Sequence, residues 1–252
     1  MNAPLSPPCL KIAHRGYHLY HVENTLESFS AAYELGCDGV EFDVQLSLDQ
    51  IPMIFHDDDL ARLGHRSEAM SLFTADELES MTLKDPVTAN TGHIPRLGNF
   101  LMEYGSKPFY LEIKIPEREK QNPDYWQLLA RLVIHSLASV SLHPNTFVAS
   151  FHLDVVRFIL KDIGFQKVVA IHENLNSLNS ALKAASDDPL SLRLYDSISM
   201  PVFQEANHLG WGLKPERILL WQVESYADFQ EARDRGVAGV VADDVPTLLE
   251  VF

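Results

Sequence analysis

Gly39-Val40-Glu41-Phe42-Asp43-Val44-Gln45-Leu46 and Phe109-Tyr110-Leu111-Glu112-Ile113-Lys114 are the two stretches from which the architecture can be read. Val40, Phe42 and Val44 alternate with Glu41 and Asp43, the period of a strand, so the two carboxylates share one face about 7 Å apart along the chain. Glu112 and Lys114 repeat the arrangement, with Leu111, Ile113 and Ile115 on the opposite face. In a parallel α/β barrel, helices cover the outer face of each strand and the inner face lines the interior, so these charges point inward. Unpaired, each would cost several kcal/mol there, so something must compensate them.

Working outward, strand-like runs alternate with helical patterns along most of the chain, which argues for βα units on a parallel sheet. Strands are expected at 10–14, 39–46, 51–56, 109–114, 146–151, 167–171, 196–200, 217–223 and 239–243. Helices are expected from about Thr25 to a stop at Gly36, and over 124–138, 152–161, 175–185 and 225–235. Nine runs compete for the eight places of a (β/α)8 barrel. Only Ser47 to Gln50 separate the second from the third, too few for a parallel crossover, so one of those two must be a hairpin arm or an extension of its neighbour. The long connection from Asp57 to Pro108 carries a capping-box pattern, Thr74-Ala75-Asp76-Glu77, and a helical segment near Leu97 to Tyr104. The expected fold is therefore α/β: a TIM-type (β/α)8 barrel, one domain over residues 1–252, with a small insertion or lid at 58–96 after the third strand.

The 252 residues, with 46% hydrophobic and 22% charged, suit one such domain with a sizeable core. An excess of 35 Asp+Glu over 20 Lys+Arg, formally -15, repels nucleic acid and anionic membrane surfaces, so an anionic substrate would need a local cationic site or a metal. Cys9 and Cys37 lack redox or zinc spacing and point to a reducing compartment. Residues 1–10 do not read as a signal peptide, and no apolar run reaches transmembrane length, so a cytoplasmic protein without stable membrane insertion is expected.

Three carboxylates at strand ends, Glu41, Asp43 and Glu112, with remaining positions open to water or substrate oxygens, make a hard-cation site suited to Mg2+ or Ca2+. His14-Arg15-Gly16 ends the first strand and His56-Asp57 the third. Imidazoles titrate near neutral pH and can serve as general base and general acid. Arg15 offers a planar donor fork for phosphate oxygens, and Gly16 permits a close backbone approach. With a dication and a phosphodiester monoanion bound, the three carboxylates, Arg15 and Lys114 sum to neutrality. Taken alone, Glu41, Asp43, Glu112 and Lys114 also read as a solvated strand face or a structural ion-pair cluster, and either histidine as a hydrogen-bonded structural residue.

In order, His14-Arg15-Gly16, Glu23-Asn24-Thr25, Glu41-Phe42-Asp43-Val44, Pro52-Met53-Ile54-Phe55-His56-Asp57 and Glu112-Ile113-Lys114 resemble the motif series of the glycerophosphodiester phosphodiesterases. The resemblance continues at Ser150-Phe151, Trp221-Gln222-Val223 and Gly239-Val240-Val241-Ala242-Asp243, and so covers nearly the whole chain. It implies a (β/α)8 barrel that hydrolyses glycerophosphodiesters to glycerol 3-phosphate and an alcohol with a divalent cation, in lipid or glycerol metabolism. Carried over by position, it implies Glu41, Asp43 and Glu112 as metal ligands and His14 and His56 as the acid/base pair; of the two, we take His14 as the base and His56 as the acid. Arg15 and Lys114 would bind the phosphoryl group, Glu23 and Asn24 would sit at the rim, and Trp221 would form pocket wall. For Asn24 a helix N-cap role competes, since an amphipathic helix starts directly after it.

Val22, Ala238 and Arg62-Leu63-Gly64 depart from the family pattern, which leaves the centre intact and bears on substrate choice. Rival readings are a lysophospholipase D-type activity on lipids, hinted at by Leu72-Phe73, a non-catalytic phosphodiester-binding barrel, and an unrelated barrel enzyme acting on carboxylated sugars. His152-Leu153-Asp154 and His172-Glu173 read as helix-start or surface groups, and Asp57 to Asp59 as turn caps.

Overall fold

A computed structural model describes residues 9–64, 67–187 and 195–249. Residues 1–8, where no leader pattern was expected, and residues 65–66 of the insertion lie outside the described residues.

The chain runs β1 (Leu10–Ala13), α1 (Leu26–Leu35), β2 (Gly39–Leu46), β3 (Pro52–Ile54), α2 (Ala75–Ser80), β4 (Thr82–Lys84), β5 (Thr91–His93), α3 (Leu97–Tyr104), β6 (Phe109–Ile113) and α4 (Pro123–Leu137). It continues β7 (Thr146–Ser150), α5 (Leu153–Phe158), β8 (Val168–Ile171), α6 (Leu175–Asp187), β9 (Tyr195–Ile198), α7 (Met200–His208), β10 (Ile218–Leu220), α8 (Tyr226–Asp234), β11 (Gly239–Ala242) and α9 (Val245–Leu249). Parallel pairing proceeds from β1 through β2, β6, β7, β8, β9, β10 and β11, and β11 pairs back onto β1 with Ile12 opposite Val241. The sheet closes into an eight-stranded parallel barrel, as expected. β3 is the surplus run: it pairs antiparallel with β2, Val44 opposite Ile54, as the arm of a tight hairpin. The insertion therefore follows the third strand of the chain but the second of the barrel.

The alternation read on β2 and β6 sorts the side chains. Val40, Phe42, Val44, Phe109, Leu111 and Ile113 face outward into a core shared with α1, α3 and α4. Phe42 sits at its centre, its ring 5.5 Å from Phe29, 4.4 Å from Phe100 and 5.6 Å from Phe109. The barrel interior is plugged by Leu10, Ile12, Tyr110, Phe147, Val169, Leu219 and Val241. An apolar plug at one end leaves the other for chemistry, and the inward-facing residues beyond it lie at the C-terminal ends of the strands.

The insertion carries α2 and the β4–β5 hairpin around a small core of its own, in which Leu60, Leu63, Met70, Leu78 and Leu83 pack with Met53 and Phe55. The Thr74 capping box forms as expected. Phe73 turns inward against this core, leaving Leu72 exposed.

Several expected boundaries shift. The strand expected at 196–200 ends at Ile198, and Met200 opens α7, a helix the apolar pattern did not reveal. The strand expected at 217–223 ends at Leu220, so Trp221 and Gln222 lie in the loop beyond it. The N-cap of α1 is Thr25, in a reciprocal box with Ser28, not Asn24.

Candidate active site

Strand ends and the loops that follow them bring His14, Arg15, Glu41, Asp43, His56, Glu112, Lys114 and Trp221 around one open cavity of about 180 Å3. Glu23 and Asn24 stand behind this lining and act on it. Asn24 donates from Nδ2 to Asp43 Oδ2 at 3.0 Å, and Glu23 accepts from Arg15 Nη1 at 2.8 Å.

Glu41, Asp43 and Glu112 are 4%, 2% and 7% exposed, and each offers an oxygen within 4.8 Å of the others. Arg15 Nε lies 3.6 Å from Asp43, and Lys114 Nζ lies 3.7 Å from Asp43 and 3.3 Å from Glu112. Burial and then the neighbouring carboxylates push the Glu41 carboxyl well above its ordinary range, and burial with Asp43 raises that of Glu112. Asp43 is also buried, but Arg15, His56 and Lys114 outweigh that and hold it below its ordinary value. The trio is short of positive charge as it stands. Oxygens sharing one dication at about 2.0–2.6 Å lie at most about 5 Å apart, so the donor set fits a hard cation.

The two histidines are braced alike. His14 Nδ1 lies 2.6 Å from Asp243 Oδ1 and His56 Nδ1 lies 2.6 Å from Asp57 Oδ1. An ionised carboxylate only accepts, so Nδ1 carries the proton in both rings and Nε2 is left for chemistry. His14 Nε2 points toward Glu41 at 3.8 Å, and His56 Nε2 accepts from Lys114 Nζ at 2.9 Å. Burial lowers the His14 pKa against the pull of Asp243, keeping the ring neutral at neutral pH. Asp57 and Asp243 are themselves held ionised: burial raises them, but hydrogen bonds from His56 and Arg62, and from His14, bring both below the ordinary value.

The loops are shaped for these roles. Gly16 adopts φ +76, and a Cβ there would lie 2.7 Å from the Ser28 carbonyl carbon, so the loop after β1 can rest on the start of α1 only with glycine. Ser28 Oγ donates to the Arg15 carbonyl at 3.1 Å, and the Arg15 N–H donates to Glu41 Oε2 at 3.0 Å. Gln45 Nε2 faces the carbonyls of Phe55, His56 and Asp57 at 3.1, 2.9 and 2.9 Å, fixing the loop that bears His56.

Asp243, Asp57 as a brace, Gln222 and Arg62 are site residues that sequence reasoning did not assign. Gln222 donates to Asp243 Oδ2 at 3.1 Å. His172 is a further difference: it is 1% exposed, with Nε2 2.9 Å from Asp196 Oδ1, and caps nothing at the surface. Asp59 caps its turn as expected, accepting from the Ala61 N–H at 2.9 Å.

The family model described as the Glycerophosphoryl diester phosphodiesterase family matches residues 14–247. The chain belongs to that family and is a phosphoric diester hydrolase. It is 27% identical over 247 residues to a glycerophosphodiester phosphodiesterase of Caldanaerobacter subterraneus, covering 96% of this chain and 97% of that one. Its fold is similar to a glycerophosphodiester phosphodiesterase of Thermotoga maritima, with TM-score 0.73 and 24% identity over 97% and 98% of the two chains. It is also similar to an Oleispira antarctica phosphodiesterase solved with the product sn-glycerol-3-phosphate, with TM-score 0.72 and 21% identity over 96% of each. Among the described residues, no helix is long and apolar enough to cross a membrane.

Proposed function

We propose that this cavity hydrolyses glycerophosphodiesters to glycerol 3-phosphate and an alcohol, with Mg2+ or Ca2+ held by Glu41, Asp43 and Glu112. One observation carries the reading: two imidazoles, each braced by its own carboxylate, share a cavity with a buried acidic trio. When bound, the cation neutralises a non-bridging phosphoryl oxygen and acidifies the attacking hydroxyl or water.

His14 is the base. Its neutral Nε2 takes the proton as the nucleophile's oxygen bonds to phosphorus, and Asp243 steadies the imidazolium that forms. His56 Nε2 carries no proton while it accepts from Lys114, so it first takes one up from water as substrate draws Lys114 away; as the bond from phosphorus to the alcohol oxygen breaks, this imidazolium, braced by Asp57, delivers that proton to the oxygen. Lys114, now on His56 Nε2, turns to the phosphoryl oxygens when substrate enters. Arg15 Nε, buried without a hydrogen-bond partner and 3.6 Å from Asp43, would donate to the same charge. Glu23 and Asn24 hold Arg15 and Asp43 in place, and Trp221 walls the cavity.

A wider groove of about 510 Å3 borders the same Glu112, Lys114 and Phe151 and is lined further out by Asp58, Glu117, Lys120 and Glu173. Its outer charged rim suits a hydrophilic departing alcohol, while Ile113, Ile115 and Ile171 line its inner part. Residues 58–96 would wall this side of a single-domain enzyme. The free, buried Cys9 and Cys37 suit a cytoplasmic location.

The test is release of glycerol 3-phosphate from a panel of glycerophosphodiesters, with chelator and with Mg2+ or Ca2+ restored. Metal-dependent release is expected; no release from any member with metal supplied would overturn the reading.

A further inference from the structure

The loop that follows β1 holds a third imidazole that the steps above leave idle. His18 is half-buried and stands behind the lining of the cavity rather than in it. Its Nδ1 lies 2.9 Å from the carbonyl oxygen of His14, four residues back in the chain. A carbonyl only accepts, so Nδ1 carries the proton and donates it, which turns Nε2 toward Asp243 Oδ1 at 3.7 Å. The His14 and His18 rings meet edge to face with their centroids 6.0 Å apart. One side chain thus bonds to the backbone of the proposed base and flanks both its ring and its brace.

The contact matters because of the backbone it holds. Arg15 adopts φ +52 and Gly16 φ +76, so two successive residues are left-handed directly after His14. A non-glycine residue is strained there and persists only where its surroundings hold it. The peptide that joins His14 to Arg15 is held at both ends: its carbonyl accepts from His18 Nδ1, and its N–H donates to Glu41 Oε2 at 3.0 Å. The Arg15 carbonyl is held in turn by Ser28 Oγ at 3.1 Å and by the Asn24 N–H at 3.0 Å. Released by His18, the first peptide would keep its hold on Glu41 and rock about it. Rocking moves the Cα atoms of His14 and Arg15, and with them the seat of the His14 ring on Asp243.

We propose that His18 is a positioning residue, which clamps the His14–Arg15 peptide and so keeps the His14 ring seated on Asp243. Its effect on turnover rests on the reading of His14 as the base; the seating does not.

Two variants separate the donor from the ring. His18→Phe keeps a ring and removes the donor, whereas His18→Asn keeps a donor nitrogen near the place of Nδ1 and removes the rest of the ring. His18→Phe should lower kcat for glycerophosphodiester hydrolysis about tenfold with KM within about twofold, and His18→Asn should recover most of that loss. Proton NMR of the full chain with Mg2+ supplied reads the seating without turnover. The His14 Nδ1–H, in its 2.6 Å contact with Asp243, should give a far-downfield resonance that is lost in His18→Phe and kept in His18→Asn. The matching signal of His56 on Asp57 should stay in place in both, and His14→Ala and His56→Ala assign the two signals. A wild-type protein without the His14 signal, a signal or kcat unmoved in His18→Phe, or equal losses in the two variants overturns the proposal. If His18→Phe fails to fold, His18→Ala removes the same donor and decides in its place. Wild-type protein that cleaves no glycerophosphodiester overturns the proposed function, while the resonances still decide the clamp.

Discussion

Arg62 holds Glu23 with both terminal nitrogens, Nη1 to Oε2 at 2.7 Å and Nη2 to Oε1 at 2.6 Å. Its Nε donates to Asp57 Oδ2 at 2.6 Å. Because Glu23 also accepts from Arg15 and Asp57 also braces His56, one side chain of the insertion ties together the two loops that carry the cavity's cation and one imidazole. Through Arg62 the insertion reaches the chemistry.

Arg62→Ala should therefore lower kcat about 10- to 100-fold, the usual range for a group that orients others. Arg62→Lys keeps the charge but cannot span both carboxylates, so it should recover only part of the loss. Steady-state kinetics on the two variants decides between roles. Equal, small effects in both would mean that Arg62 merely staples the insertion down.

The braced imidazoles give a second expectation. His14→Ala and His56→Ala should each reduce turnover by about 100- to 10,000-fold with unfolding midpoints near that of the parent. Asp243→Asn should fall in the same range, since an amide neither fixes the Nδ1–H tautomer nor steadies the imidazolium. Single-turnover rates at saturating substrate measure this, and near-normal rates in Asp243→Asn would remove its bracing role.

These contacts also explain what was legible. The inward set on β2 and β6 could be read because alternation is local: Glu41, Asp43, Glu112 and Lys114 need only their neighbours to declare a face. The four-residue link allowed either a hairpin arm or an extension, and the antiparallel pairing of Val44 with Ile54 makes β3 the arm. His14 and Asp243 are 229 positions apart, and nothing in either neighbourhood announces the pairing. Asp243 had one available signal, its two-residue offset from inward-facing Val241 on β11. For Asn24 the Thr25-to-Ser28 spacing competed, and the box it forms displaces Asn24 from the cap and frees its amide for Asp43. α7 hid behind Pro201, which reads as a break in a strand as readily as a first helical turn. His172 reads as a helix-start or surface group because its burial beside Asp196 comes from neighbouring strands.

The acidic trio predicts a metal-dependent stability. At cation concentrations about 100 times Kd, binding adds about 2.7 kcal/mol, which in a chain of this size raises Tm by about 5–10 °C. Thermal unfolding of chelated protein with and without Mg2+ or Ca2+ measures the shift. Asp43→Asn should abolish it, and a full shift in that variant would place the cation elsewhere.

Glu23 sets an acid-side dependence. Burial alone would raise its carboxyl, but hydrogen bonds and charge from Arg62 and Arg15 more than offset this and hold it below its ordinary value. A carboxyl depressed in the folded state contributes its stabilisation above the unfolded pKa, near 4.3, and loses it as pH falls through the folded value. Glu23→Gln should thus cost about 1–2 kcal/mol at pH 7, the lower figure because Arg62 is 41% exposed and partly screened by water. The gap between variant and parent should narrow below about pH 4. Urea unfolding of both proteins across pH 3 to 7 in chelator tests this. A gap that stays constant would mean that the loss comes from packing rather than from the charge that Glu23 places between its two arginines.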